Sequence, residues 1–153
     1  MIKVSNLDVN FETPSETVEV LKGLDFSVEE GAAAAVVGPS GSGKTTLLNV
    51  LGALLPPTSG SVEIGGQNIA RLKEKEADRF RNQELGFVFQ QHHLLPQLTV
   101  MENVLTPRLA GGWKESEEET RKRAIELLER VGLSHRVNHR PGKLSGGDRR
   151  AHV

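Results

Sequence analysis

Residues 38–45, which read GPSGSGKT, constrain the fold more than any other part of the sequence, because they fit G-x-x-x-x-G-K-[ST] at every fixed position. They follow the apolar run Ala32–Val37 and precede the helical run Leu47–Leu55. The glycines allow backbone conformations closed to other residues, so that successive N–H groups can point at one anion. A helix that begins near Lys44 adds the positive end of its dipole. The pattern therefore predicts an α/β fold in which a strand, a loop and a helix together bind phosphate.

Two side chains of this motif have chemistry of their own. Lys44 can neutralise β- and γ-phosphate oxygens, and Thr45 offers a hydroxyl to Mg²⁺, which prefers few protein ligands beside phosphate oxygens. The alternative is a glycine- and serine-rich loop that matches by accident, as would happen in roughly 0.5 % of chains of this length. The flanking strand and helix favour a phosphate site, whose remaining candidate residues are Gly38, Pro39, Ser40, Gly41, Ser42, Gly43 and Thr46.

Composition excludes several other classes of function. The chain has 153 residues, of which 37 % are apolar, so it is long enough to bury a core. It has no Cys, which excludes disulfides and Cys-ligated zinc or iron–sulfur clusters. The net charge of −1 gives no reason to expect nucleic acid or an anionic membrane as a direct ligand. The longest apolar stretch, Leu47–Leu55, is too short to span a bilayer and no signal peptide is visible, so we expect a cytosolic location.

Short strands dominate the secondary structure that is predicted for the first half of the sequence. Turn residues separate most of them, as at Thr13-Pro14-Ser15 and at the glycine pair of a hairpin, Gly65-Gly66. The predicted strands are Ile2–Val9, Val18–Leu21, Leu24–Val28, Ala32–Val37, Ser61–Ile64, Gln67–Ile69 and Leu85–Phe89.

The second half is predicted to be mostly helical. The charged run Arg71–Glu84 and the short run Thr99–Leu105 are two candidate helices. Ser116 and Glu119 have the spacing of a capping box, which predicts the start of a longer helix, and Gly132 is placed to end it. The stripe expected to face the core of that helix is Ala124, Leu127, Leu128 and Val131.

Three motifs in this order resemble the ATP-binding subunits of ABC transporters. The phosphate loop comes first, and Gly86–Gln90 (GFVFQ) follows, with the similar segment Leu98–Val104 just beyond it. Leu144–Gly147 (LSGG) is similar to the signature motif of that family. The stretches QHHLLP at 91–96 and HRP at 139–141 look most like the lipoprotein-releasing and macrolide-export subgroup.

The resemblance implies roles for residues outside the phosphate loop. Phe11 would stack on the adenine ring of ATP, although a Phe in a strand can equally be a buried core residue. Gln90 would contact Mg²⁺ or the attacking water and would be catalytic together with Lys44. Ser145, Gly146 and Gly147 would complete the ATP site of the opposite subunit in a head-to-tail homodimer.

The resemblance also implies an organisation and a set of partners. Residues 1–90 would form the α/β ATP-binding subdomain and residues 91–150 a helical subdomain that carries the signature, both within one ABC ATPase domain. The partners would be transmembrane permease subunits, which would place the protein on the inner face of the plasma membrane. ATP hydrolysis would then drive export across the membrane or release from it, with lipoproteins as the candidate cargo.

The pattern of the family stops early in this sequence. After Gly147 the family has an apolar strand that ends in two carboxylates, and no such segment occurs in residues 46–153. We therefore expect the chain to correspond to the N-terminal two-thirds of an ABC ATPase, with the strands beside the phosphate-loop strand missing and with hydrolysis near background. The alternative function is a truncated module that binds ATP without turning it over.

Two further readings are weaker. A P-loop kinase or GTPase of another kind is disfavoured by Gln90 and by the LSGG segment, and the guanine-reading pattern N-K-x-D is absent. The pairs His92-His93 and His135/His139 could suggest a metal site, but no acidic or Cys ligands accompany them.

Overall fold

The computed structural model describes residues 1–90, 93–111 and 114–144. The chain divides into two compact units, Met1–Arg81 and Asn82–Val153. The phosphate loop belongs to the first unit, and Gln90 belongs to the second. Each unit is described by itself below.

A four-stranded antiparallel sheet forms the frame of the first unit, with the strand order β2-β1-β3-β4. The predicted hairpin around Gly65-Gly66 is confirmed. The two runs predicted at residues 18–28 form one continuous strand, because Gly23 adopts a positive φ of 52° within it. The strands are β1 Ile2–Glu12, β2 Thr17–Val28, β3 Ser59–Ile64 and β4 Gln67–Asn68.

An irregularity in β1 sets which of its side chains are buried. The pairing of β1 with both neighbours shifts in register after residues 4–5, where Asn6 has a φ of 47°. Val4, Leu7 and Val9 are therefore all buried, although their spacing is not strictly alternate. The shift also brings β3 very close, since a Cβ on Gly60 would lie 2.3 Å from the carbonyl oxygen of Asn6. A glycine is required at that contact.

Asp8 joins the three long strands at this irregularity. Its carboxylate accepts hydrogen bonds from the Gly23 amide of β2 at 2.7 Å and from the Ser59 hydroxyl of β3 at 2.5 Å. The hydrogen bond from Ser59, followed by that from Gly23, lowers the pKa of Asp8 below its ordinary value. The ionised form of Asp8 is thus the one that stabilises the sheet.

The first unit also contains one helix and most of a second, whose last three residues, 82–84, belong to the second unit. The first, α1, runs over Lys44–Leu51 and buries Leu47 and Val50. The second, α2, runs over Glu74–Glu84 and buries Phe80 alone, in agreement with the predicted solvated helix. The prediction that the first helix continues to Leu55 was wrong. The chain turns back after Leu51, where Ala53 has a positive φ of 52° and the amides of residues 54 and 55 both donate to the carbonyl of residue 49.

Two predicted strands are absent from the sheet. Residues 32–37 and 85–89 are in no strand or helix. Val37 is 87 % exposed and Val88 is 83 % exposed, whereas the continuous apolar run at 32–37 predicted a strand buried on both faces. A strand requires a hydrogen-bonded neighbour, and the described sheet places none beside either segment.

The second unit is built around two helices. They are α3, Val100–Leu105, and α4, Glu117–Arg130, and short 3₁₀ turns follow at Thr106–Ala110, Ser134–Arg136 and Pro141–Lys143. The predicted capping box of Ser116 and Glu119 is confirmed at the start of α4. A second capping box, formed by Thr99 and Glu102, begins α3. The core of this unit consists of Val100, Met101, Ala124, Leu128, Leu133 and Leu144.

The buried stripe of α4 is narrower than predicted. Ala124 and Leu128 are buried, whereas Leu127 and Val131 are 44 % and 46 % exposed. The buried residues of the helix follow a single row of every fourth position, beginning at Thr120. No helix in the described part of the chain is long and apolar enough to cross a membrane.

We predict that the Asp8→Asn substitution removes part of the acid sensitivity of the first unit. Because the pKa of Asp8 is lowered by folding, its contribution to stability is present at neutral pH and is lost as the pH falls below about 4. The urea midpoint of the parent, followed through the NMR signals of β1, should therefore fall more steeply between pH 5 and pH 2 than that of the variant. Glu30→Gln, which replaces an exposed carboxylate, is the matched control. Parallel pH profiles for the parent and Asp8→Asn would contradict this account.

Candidate functional site

The phosphate loop leads into a helix whose N-terminus has no cap from the protein. Gly43 is the N-cap of α1 and has no side chain that could accept a hydrogen bond, and the first turn contains no acidic residue. Within the described residues, the amides of Lys44, Thr45 and Thr46 have no backbone or side-chain acceptor. The first amides of a helix lack partners inside the helix, so this end of α1 can bind an anion.

Gly43 also fixes where the loop lies. Its φ is 82°, and a Cβ at this position would lie 2.9 Å from Leu21 Cδ2 and 3.1 Å from the carbonyl oxygen of Val20. The backbone of the loop therefore packs directly on β2, closer than any other residue type would allow. Gly41 has a similar φ of 81° but open space around it, so its requirement for glycine comes from conformation alone.

The ammonium group of Lys44 lies inside the loop that its own motif forms. Lys44 Nζ donates to the carbonyl oxygens of Gly38 at 3.0 Å and Pro39 at 2.6 Å, and it lies 3.4 Å from Ser42 Oγ. The side chain is thus held at the loop that would surround a phosphate. A phosphate oxygen accepts a stronger, charge-assisted hydrogen bond from an ammonium than a carbonyl does, so a bound nucleotide can take over these contacts.

The hydroxyl groups beside Lys44 differ in exposure. Thr45 is exposed, whereas Thr46 is half-buried one position further along α1. Thr45 Oγ1 makes no hydrogen bond within the described residues, so it is open to a cation. Mg²⁺ usually takes one or two protein oxygens and completes its shell with phosphate oxygens and water, and Thr45 fits that requirement.

Phe11 lies on the surface of the sheet and is not a core residue. It is 41 % exposed near the end of β1, so the alternative of a buried core Phe was wrong. Its partner across the β1–β2 ladder is Val18, which is 39 % exposed. The two side chains therefore form a partly exposed apolar pair on one face of the sheet.

Val18 was missed as a site residue by the sequence analysis, although a signal for it was present. The turn at Thr13–Glu16 is closed by a hydrogen bond of 2.9 Å from the Thr13 amide to the Glu16 carbonyl. A hairpin centred on that turn pairs residue 11 with residue 18, so the position of the turn in the sequence predicts that Val18 lies opposite Phe11. Strand β2 then continues from Val18 to Val20, which contacts Gly43. Strand β2 therefore carries both Val18, the partner of Phe11, and the contact that locates the phosphate loop.

Gln90 lies in the second unit, at an exposed bend of the chain. Aromatic rings on both sides shape the segment. Phe87 and Phe89 stack with their ring centroids 5.2 Å apart, and His93 packs edge-on against Phe89 at 4.9 Å. The signature residues Ser145, Gly146 and Gly147 lie outside the described residues, as does His92. The part of the chain that is described contains no cluster of three or more metal-ligating side chains.

A family model described as ABC transporter matches residues 21–153. The chain belongs to the ABC transporter family. The match includes the phosphate loop, the Gln90 segment and the LSGG segment, on which the resemblance depended.

Curated members of the family are closely similar in sequence. The chain is 52 % identical over 149 residues to the lipoprotein-releasing system ATP-binding protein LolD 1 of Rhodopirellula baltica, covering 97 % of this chain and 64 % of the relative. It is 47 % identical over 148 residues to LolD of Geobacter metallireducens, covering 97 % of this chain and 65 % of the relative. The chain therefore spans slightly less than two-thirds of the length of these relatives.

Solved structures of the family confirm the predicted α/β fold of the P-loop type. A dimeric structure of the ATP-binding cassette MJ0796, in a post-hydrolysis state with ADP and Pi bound, matches with a TM-score of 0.88 and 39 % identity. The match covers 99 % of this chain and 67 % of MJ0796. A second dimeric structure of the same bacterial cassette gives the same TM-score.

We predict that Lys44→Ala weakens the binding of MgATP roughly 10- to 150-fold, because it removes a charge-assisted contact of about 1.5–3 kcal/mol. Isothermal titration calorimetry on the two proteins measures the change directly. Lys75→Ala is the matched control, since it removes an exposed lysine of α2 and alters the net charge equally. Equal affinities of Lys44→Ala and the parent would show that Lys44 does not contact the nucleotide.

Proposed function

We propose that this chain is the ATP-binding part of an ABC transporter ATPase and that it binds ATP as the magnesium complex. The observation that carries the proposal is the arrangement of the phosphate loop, in which Lys44 Nζ lies on the loop carbonyls next to the uncapped N-terminus of α1. The first amides of α1 lack acceptors within the described residues, and a triphosphate would supply them while also accepting from the Lys44 ammonium. Membership of the family supports the same ligand.

The base of the nucleotide would rest on Phe11 and Val18. Both are partly exposed and lie opposite each other on β1 and β2, and β2 reaches the phosphate loop through the contact of Val20 with Gly43. Apolar surface at this position accepts an aromatic ring without requiring hydrogen bonds from the base. The proposal therefore divides nucleotide binding between charge at the loop and stacking at the sheet.

We predict that Phe11→Ala weakens ATP binding but leaves the binding of inorganic triphosphate unchanged. Stacking of a base on an aromatic side chain contributes about 1–3 kcal/mol, which corresponds to a loss of roughly 5- to 150-fold for ATP. Calorimetry with the two ligands separates this role from damage to the loop, because triphosphate has no base. Phe11→Trp should restore the affinity for ATP. An equal loss for both ligands would mean that Phe11 acts on the fold and not on the base.

The transport role is proposed from the relatives. Their names describe a lipoprotein-releasing system. We propose that this chain serves a transporter of that kind, with permease subunits as partners and a peripheral position on the inner face of the membrane. The dimeric structures of MJ0796 support a homodimer. We propose that in this homodimer Ser145, Gly146 and Gly147 of one chain complete the site at the phosphate loop of the other. Gln90 would then contact the metal or the attacking water.

A second candidate function is ATP binding without turnover by residues 1–153. The contacts of Lys44 favour it, because within the described residues they are carbonyl and hydroxyl oxygens and include no carboxylate. Gln90 bears an amide, which cannot act as a general base. Bound Mg²⁺ would neutralise phosphate charge, and the residues at hand would bind and orient the triphosphate without activating water.

We predict that residues 1–153 bind MgATP and release phosphate at a rate near that of the uncatalysed reaction, because general-base assistance is typically worth 10²–10⁴-fold. Phosphate release is measured over hours with the parent and with Lys44→Ala, which serves as the control for contaminating ATPases. A rate of about 1 s⁻¹ in the parent that disappears in Lys44→Ala would rule out the second candidate and show complete catalytic machinery.

A further inference from the structure

The side chain of Asn103 organises a loop to which the sequence analysis gave no role. Asn103 is half-buried on α3. Its Oδ1 accepts a hydrogen bond from the Leu95 amide at 2.8 Å, and its Nδ2 lies 3.2 Å from the Leu95 carbonyl oxygen, 3.3 Å from that of Leu98 and 2.9 Å from that of Thr99. Because one amide group contacts both ends of residues 95–99, it determines the shape of the loop that follows the Gln90 segment.

The same helix end holds a second segment of the chain. The Val100 amide donates to the His139 carbonyl at 2.8 Å, and the Met101 amide donates to the Val137 carbonyl at 3.0 Å. The side chains of Val100 and Met101 lie in one buried cluster with Leu144. Residues 137–144 are therefore bound to the first turn of α3, immediately before the LSGG motif continues at residue 145.

The contacts of Asn103 are separable from the cap of the helix. Thr99 and Glu102 form the capping box, in which Glu102 Oε2 accepts from the Thr99 amide at 2.7 Å and from the Thr99 hydroxyl at 2.8 Å. The Asn103 amide also donates to the Thr99 carbonyl at 2.9 Å through the backbone, which a substitution leaves in place. Loss of the Asn103 side chain should thus release the loop without unwinding α3.

We propose that Asn103 is a positioning residue that keeps the loop after Gln90 and the segment before the signature motif attached to one helix end, so that the two move as a single body. The functional meaning of this attachment depends on the proposed function, because Gln90 and residues 145–147 act on ATP only in that proposal. The attachment itself depends only on the contacts of Asn103, Val100 and Met101. In this proposal Asn103 acts through the backbone that its side chain holds.

Amide hydrogen exchange, read by NMR, tests the attachment. In Asn103→Ala the amides of Leu95, Val100 and Met101 should exchange roughly fivefold faster, which is the loss of about one net hydrogen bond. The amides of Ala124 and Leu128 in the core of α4 should remain within about twofold of the parent. Uniformly faster exchange would mean that Asn103 only stabilises the unit, and unchanged exchange at Val100 and Met101 would mean that the two segments are held independently. Either result overturns the proposal.

Two further variants make the test specific. N103D keeps the size of the side chain but replaces the donor with a carboxylate facing the carbonyls of the loop, so it should behave like Asn103→Ala. Asn138→Ala removes an exposed amide side chain within the segment that is bound to α3 and leaves its backbone contacts in place, so it should behave like the parent. Parent-like exchange in N103D, or faster exchange in Asn138→Ala, would contradict the assignment to the Nδ2 contacts.

A thiol reporter follows the effect to the signature motif. The chain contains no Cys, so S145C carries a single thiol whose rate of maleimide labelling can be measured. Adding Asn103→Ala should change that rate severalfold, whereas adding Asn138→Ala should leave it unchanged. Equal rates in all three proteins would show that Asn103 does not act on the signature segment.

Calorimetry separates failure of this inference from failure of the proposed function. Absence of ATP binding by the parent would refute the proposed function and would leave the exchange results at Leu95, Val100 and Met101 standing. ATP binding by the parent together with uniform exchange in Asn103→Ala would refute the positioning role alone.

Discussion

The close packing of Gly43 on β2 is the contact on which the candidate site depends. It brings the backbone of the phosphate loop to within contact distance of Val20 and Leu21. Because the N-cap residue of α1 is then a glycine, no side chain caps the helix. An N-cap side chain typically stabilises a helix by about 1 kcal/mol. Helix α1 forgoes that contribution and is held instead by the burial of Leu47 and Val50, so that its amides remain available to a ligand.

The missing N-cap side chain is a property of α1 and is not shared by the two helices of the second unit. Helices α3 and α4 each begin with a complete capping box, built on Thr99 and Ser116. In those helices the side chains satisfy the first amides, and at α3 two more amides are bound by carbonyls of residues 137 and 139. Helix ends in the second unit are therefore used to hold the protein together, whereas the start of α1 is kept open. The same physical property of a helix N-terminus serves structure in the second unit and is available for the proposed binding in the first.

The sequence predicted local features well because each depends on a few neighbouring residues. The phosphate loop, the capping box at Ser116 and the hairpin at Gly65-Gly66 all have signatures that span three to eight positions. Thr99 and Glu102 have the same spacing as Ser116 and Glu119, so the box of α3 could have been found by the same rule. The roles of Phe11 and Gln90 were predicted from the family resemblance, because a single Phe or Gln does not by itself indicate a function.

Features that depend on distant partners could not be predicted in the same way. Hydrophobicity favoured strands at residues 32–37 and 85–89, but a strand exists only where another strand accepts and donates its hydrogen bonds. Val18 gained its candidate role from its register opposite Phe11, and Leu127 lost its predicted burial because the neighbouring elements cover a narrower face of α4. In each case the missing information was which element lies alongside.

The two segments left out of the sheet each lead directly to a residue of the proposed chemistry. Gly38 directly follows residues 32–37, and Gln90 directly follows residues 85–89. The loop that begins at Gly38 is located by its own contacts, namely Gly43 on β2 and Lys44 on the loop carbonyls, so its geometry does not require residues 32–37 to be paired. In the described residues around Gln90, Phe87, Phe89 and His93 make ring contacts with one another. The proposed phosphate binding therefore depends on local contacts that the described residues already make. The placement of Gln90 depends instead on what packs against the exposed apolar side chains before it, of which Val88 is the most exposed.

The curated relatives are about half as long again as this chain, so their remaining third has the length to supply that packing. In the proposed function, phosphate binding would thus depend on a loop and a helix end, whereas turnover would depend also on the packing that places Gln90.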